Sequence, residues 1–260
     1  MQTFQEQRDF FNQHWDAMKA VVENDGVDGI VKFIDGFTDD LERRVLYVFA
    51  RQGVMFQDWQ GKNFDTYIGI CDAGVKEILR QVESADDDED LKKKLRSAHV
   101  LCYNLSADLA DCWPGDETPR SKSHYERGLK AAEDCLKWAD RMGSDANTYS
   151  IDFWAKGIHE LSLGYSSNAL ESWSKSLEYA CRTAELDPVP AMPDPAQNFG
   201  VILGFGYVGL AEWICGNDIA KSKYHDAISA FKNQFDDAEK KSDAEFGISQ
   251  LEKVRQKYLS

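Results

Sequence analysis

The chain has 260 residues, 43% hydrophobic and 29% charged, which is the composition of a folded chain and excludes a disordered or low-complexity one. Its net charge is −15, and its densest basic cluster, Lys92-Lys93-Lys94 with Arg96, directly follows the acidic run Asp86 to Asp90, so nucleic-acid binding through phosphate contacts is excluded. No segment approaches the roughly 20 apolar residues of a membrane span and the first residues carry no apolar signal core, so a cytoplasmic protein is expected.

Six prolines occur, and Pro188, Pro190, Pro193 and Pro195 share one short stretch. The remainder is nearly free of helix breakers, and β-branched runs and hairpin turns are scarce. Helices are expected over 3–24, 27–36, 38–59 and 62–84, with breaks at Asp25-Gly26, Thr38-Asp39 and Gly61-Lys62. In the third, Leu41, Val45, Val48, Phe49, Met55 and Phe56 recur at helical spacing, which gives it a face to bury. The acids of 84–90 form a joint before a helix over 90–112, and acids at its start with lysines a turn later match the helix dipole. Trp113-Pro-Gly-Asp-Glu-Thr-Pro119 is a polar loop, followed by a helix over 121–142. Two hairpins come next, 147–163 with 166–185 and 197–215 with 218–236, and a last amphipathic helix covers 241–258. The count is roughly eleven helices, in an N-terminal region 1–90 and helical hairpins over 91–260, read as one continuous array.

Two hairpins share a pattern. In the first, Gly157 and Gly164 are followed by Ala169, Trp173, Ser176 and Leu177; in the second, Gly209 and Gly216 are followed by Ala220, Tyr224, Ala227 and Ile228, with one residue fewer between glycine and alanine. A small residue in one helix lets the next cross closely, glycine closes the turn, and alanine with an aromatic fills the seam. A third unit pairs Ser106 with Gly128, Ala132, Cys135 and Leu136. The pattern resembles degenerate tetratricopeptide repeats over residues 95–236, which implies an all-α fold of antiparallel hairpins stacked into an irregular right-handed superhelix. Gly157 and Gly209 are 52 residues apart, longer than that family's period of roughly 34, so the array is not a regular tandem one. In the resembling geometry Ile151, Trp154, Ile158, Leu161 and Ser162, then Leu203, Leu210, Trp213 and Ile214, line an inner groove. These positions lack the lysine and asparagine pattern with which some members clamp a carboxylate.

The run from Pro195-Ala-Gln-Asn-Phe-Gly-Val-Ile-Leu-Gly to Asp236-Asp237-Ala is similar to the late helices of 14-3-3 adaptors, which also match in length, acidity and helical layout. The corresponding earlier helix reads Asp152-Phe-Trp-Ala-Lys-Gly, without that family's Arg-Tyr pair, and converging cations are what a phosphate site needs.

Motifs that suggest chemistry are accounted for more simply by packing or solvation. Gly204-Phe-Gly206-Tyr-Val-Gly209 is a literal dinucleotide fingerprint, but a helix and not a strand bearing an acid follows it. Asp86-Asp-Asp-Glu-Asp90 has no second aspartate-rich partner. The histidines (His14, His99, His124, His159, His225) and the six cysteines (Cys71, Cys102, Cys112, Cys135, Cys181, Cys215) show no metal-ligand spacing, and the cysteines read as small core residues. No cofactor is expected. The function expected is that of a non-enzymatic adaptor binding a peptide or helix of another protein, preferably a basic one, at Ile151, Trp154, Ile158, Leu161, Leu203, Leu210 and Trp213; the alternative is an α-helical enzyme or small-ligand protein with an aromatic-lined pocket. The aromatic content suits a homodimer as well as a filled core.

Overall fold

The computed structural model describes residues 1, 3–59 and 61–259. Among them it forms ten α-helices, one short 3-10 turn and no strand. The chain divides into two units, Met1–Asp108 and Leu109–Ser260.

The first unit holds α1 (Phe4–Asp35), α2 (Asp40–Phe56), α3 (Phe64–Glu83) and α4 (Asp88–Leu109) up to Asp108. The joint read at 84–90 therefore lies inside this unit, where Asp87 Oδ1 accepts from the Asp90 amide at 2.8 Å and starts α4. Lys92, Lys93 and Lys94 then pair one turn back with Asp88, Glu89 and Asp90, the arrangement that supports a helix surface. The break expected at Asp25-Gly26 is a kink within α1: Gly26 takes φ 64°, ψ −152°, a conformation essentially reserved for glycine. Counting across that kink explains eleven expected helices against ten. Asp39 and Asn63 cap α2 and α3, their side chains accepting from the Leu41 and Thr66 amides at 2.6 and 2.7 Å. Arg43 reaches Glu77 of α3 at 2.7 Å, and Arg51 grips both oxygens of Asp108 at 2.6 and 2.7 Å, a bidentate pair with fixed geometry.

The second unit holds α5 (Lys122–Met142), α6 (Ala146–Ser162), α7 (Ser166–Thr183), α8 (Phe199–Ile214), α9 (Lys221–Lys232) and α10 (Lys241–Leu259). From α5 to α9 each helix packs on the next, and α10 returns onto α8 and α9. The two hairpin turns close by one hydrogen-bond pattern. Gly164 N–H donates to Leu161 O and Tyr165 N–H to Glu160 O at 2.9 and 2.8 Å; Gly216 N–H donates to Trp213 O and Asn217 N–H to Glu212 O at 2.9 and 3.0 Å. Gly164 and Gly216 sit at φ 85° and 93°, the left-handed stop that glycine adopts without a Cβ penalty.

The seams use the expected small residues in two ways. A Cβ on Gly157 would lie 2.4 Å from Trp173 Nε1, so the α7 indole occupies the space the glycine leaves, and that Nε1–H donates to Trp154 O at 3.1 Å. A Cβ on Gly209 would lie 2.6 Å from the backbone nitrogen of Tyr224, so here it is the α9 main chain that approaches. Ala169, Trp173, Ala220, Tyr224 and Ala227 are all buried. The missing residue between Gly216 and Ala220 coincides with the 3-10 turn Asp218–Ala220, whose rise per residue exceeds that of an α-helix. Across α6 and α7, Ser150 and Ser176 exchange hydroxyl-to-carbonyl bonds of 2.9 and 2.8 Å, and the buried Glu160 takes Lys156 Nζ at 2.5 Å and Ser172 Oγ at 2.6 Å.

Candidate helix-binding face

The residues expected to line a groove do not form one open surface. Trp154, Ile158, Leu161 and Leu210 are buried in the core of the second unit, whereas Ile151 is only partly covered and Leu203 and Trp213 pack on the core from its margin. Trp213 also lies apart from Trp154 in its contacts. Its ring meets Tyr224 of α9 at 6.3 Å, with Lys221 Nζ 5.3 Å over its centre, while Trp154 meets Trp113 at 5.5 Å and Tyr207 at 6.4 Å.

One side of α8 is covered by the chain's own last helix. A Cβ on Gly206 would lie 2.4 Å from a Leu251 methyl, so α10 is let down onto α8 at a glycine notch. Phe246, near the start of α10, faces Phe199, at the start of α8, at 6.3 Å and Trp113 at 6.1 Å. At the other end, the Tyr258 hydroxyl lies 3.1 Å from that of Ser162, the last residue of α6. Contacts 246 to 199 and 251 to 206 advance together, so α10 runs in the same direction as α8. The three glycines of the fingerprint motif thus each admit a different helix: Gly204 meets Leu177 of α7, Gly206 meets Leu251 of α10 and Gly209 meets α9. This is packing geometry, with none of the strand-to-helix turn that a dinucleotide loop needs.

Two lysines fasten α10. Lys253 Nζ donates to Trp113 O at 3.0 Å and to Asp116 O, and stands 3.2 Å from Asp111 Oδ1; Lys257 Nζ donates to Asp111 Oδ2 at 2.8 Å and to the Tyr125 hydroxyl at 3.1 Å. Burial pushes the Asp111 carboxyl up, but Lys257 and Lys253 outweigh it and leave it below the ordinary range. Burial likewise raises Asp116, and its bonds to Arg120 and Thr118 more than reverse this, holding it at about 2. Of the two, only Asp111 is held by α10, so it binds a proton less readily with α10 fastened than in an unfastened chain. Its contribution is therefore present above the ordinary carboxylate range and is lost as pH falls below it. We predict that α10 loosens as pH falls below about 4, read from the indole NMR signal of Trp113, and that Asp111→Asn shifts that signal at neutral pH as acid does in the parent chain.

Beneath α10 lies a poorly satisfied polar cluster. Gln250 Nε2 donates to Cys112 Sγ at a long 3.7 Å, while Gln250 Oε1 has no hydrogen-bond partner. The Tyr207 hydroxyl interacts with Trp154 and Cys112, yet neither it nor Trp154 Nε1 makes a well-formed hydrogen bond. Burial pushes the Cys112 thiol up to about 12, with Tyr207 pulling weakly the other way, so this is not a nucleophilic cysteine at neutral pH. Each buried polar atom left without a partner costs about 1–3 kcal/mol, which makes this seam weaker than its apolar surroundings.

Sequence reasoning placed the apolar residues of α6 and α8 but missed Trp113, Tyr207, Gln250, Lys253 and Lys257. A signal exists for α10 in the spacing of Gly247, Gln250, Leu251, Val254 and Tyr258, which is that of one helix face. No protein-family model, curated protein or solved structure matches the chain. Among the described residues no helix is long and apolar enough to cross a membrane.

Proposed function

We propose that the second unit is a protein-interaction module in which the face of α8 and α9 now covered by α10 takes a helix of another protein, making the chain an adaptor. The observation that supports this is the seat itself: Gly206 opens a notch that accepts Leu251, and the aromatics Trp113 and Phe199 flank the incoming Phe246. An amphipathic helix in an apolar groove, anchored at one-turn intervals, is a standard mode of recognition. The net charge of −15 favours a basic occupant.

The test is capture from cytosol by the full chain, followed by mapping of the bound segment. A helical segment should be found, and Leu203→Glu, at the margin of the core, should weaken its binding at least tenfold while the thermal midpoint falls only slightly. Equal binding by the variant, or a bound segment that is not helical, overturns the reading. Trp213→Ala separates the two aromatic sites: it should leave this binding nearly unchanged, because Trp213 packs on Tyr224 and not on the α10 seat.

The cluster of Trp154 Nε1, the Tyr207 hydroxyl and Gln250 Oε1 also supports the alternative of a small polar ligand held among aromatics. Native mass spectrometry showing a stoichiometric small molecule, released on unfolding, would favour that alternative.

A further inference from the structure

We infer that α10 is a built-in competitor for the α8/α9 face it covers, a latch that must lift before a partner helix can enter. The inference rests on the reading of that face as helix-binding and adds how access to it is controlled.

Three features separate α10 from an ordinary packed helix. First, the underside of the seam carries Gln250 Oε1 without a partner and only a 3.7 Å bond from Gln250 Nε2 to the Cys112 sulfur, so lifting it gives these polar groups to water. Second, the bonds that hold the helix are concentrated at its edge, in Lys253 and Lys257, which grip the 111–116 segment and Tyr125. These side chains are partly exposed, and a basic partner helix can compete with them for Asp111. Third, the contacts of α10 define its replacement: a helix with small residues where Ala244 and Gly247 lie and apolar ones where Leu251, Val254 and Tyr258 lie, all of which face the core. Gly247 is needed because a Cβ there would lie 2.7 Å from the Phe231 ring.

Cys112 reports on the latch, since it is fully buried under Gln250. In the full chain carrying Cys215→Ser, which removes the exposed thiol, hydrogen exchange of α10 amides and maleimide labelling of Cys112 are measured with exchange of α8 amides as the internal reference. The α10 amides should exchange at least tenfold faster than those of α8, and Lys253→Gln with Lys257→Gln should speed both exchange of α10 and labelling of Cys112 at least a further tenfold. A fluorescent peptide of sequence 241–259 is then titrated into both chains, with the double variant expected to bind at least tenfold more tightly. Equal protection of α10 and α8, unchanged by the double variant, overturns the latch whatever the peptide does. A latch that opens while the peptide binds neither chain overturns the helix-binding reading instead.

Discussion

Gly209→Ala is expected to destabilise the second unit by about 3 kcal/mol, lowering its thermal midpoint by roughly 6–12 °C. The reason lies in what the added methyl meets. Its carbon would stand 2.6 Å from the Tyr224 nitrogen, with Lys223 Cβ at 2.9 Å, and a main-chain atom has no rotamer into which it can withdraw. Relief requires α8 and α9 to separate, which opens the packing around Tyr224, Ala227 and Ile228. Gly200→Ala is the matched control. Its nearest neighbours would be 3.7 and 3.8 Å from the new carbon, an ordinary contact distance, and alanine favours the helix by up to about 1 kcal/mol. Calorimetry should give a large loss for the first and no loss for the second. Similar small effects for both would mean that α8 and α9 do not approach this closely.

The second large effect is expected from Lys156→Ala. Glu160 has a side chain only 4% exposed, and its two close polar partners are Lys156 Nζ and Ser172 Oγ. Removing the lysine leaves a buried carboxylate with one hydroxyl, which should cost about 3 kcal/mol. Adding Glu160→Leu should restore most of that loss, because the penalty belongs to the charge left behind and not to the missing attraction. Denaturant midpoints of the single and double variants measure this; a double variant no more stable than the single one would show that the carboxylate is not what the lysine compensates.

The parts of this structure legible in the sequence are those fixed by local chemistry. Hairpin turns are readable because Gly164 and Gly216 have few substitutes in the left-handed conformation that ends a helix. The seam residues are readable because Gly157 with Trp173 presents the size match that close crossing needs. What is not readable is what covers an apolar face. Helical periodicity shows that α6 has one, but the Ser162–Tyr258 and Cys112–Gln250 contacts bridge 96 and 138 residues, and no local pattern encodes them. Trp213 shows the same limit from another side. α8 is apolar on nearly every face, so spacing alone does not say which side a given residue presents, and Trp213 turns to α9 while Leu210 enters the core. The kink at Gly26 is visible in the sequence as a break, but the continuation of α1 beyond it depends on burial of Gly29, Ile30 and Ile34.

Because α8 is approached by three helices through three glycines, its place in the order of synthesis matters. The ribosome delivers α7 before it and α9 and α10 after it, so the Gly206 side of α8 leaves the exit tunnel well before Leu251 follows it out to cover it. During that interval the nascent chain displays a run from Phe199 to Ile214 whose one charged residue is Glu212, the kind of surface that chaperones hold. A chain cut short before α10 should therefore be retained by such holding factors and recovered largely insoluble.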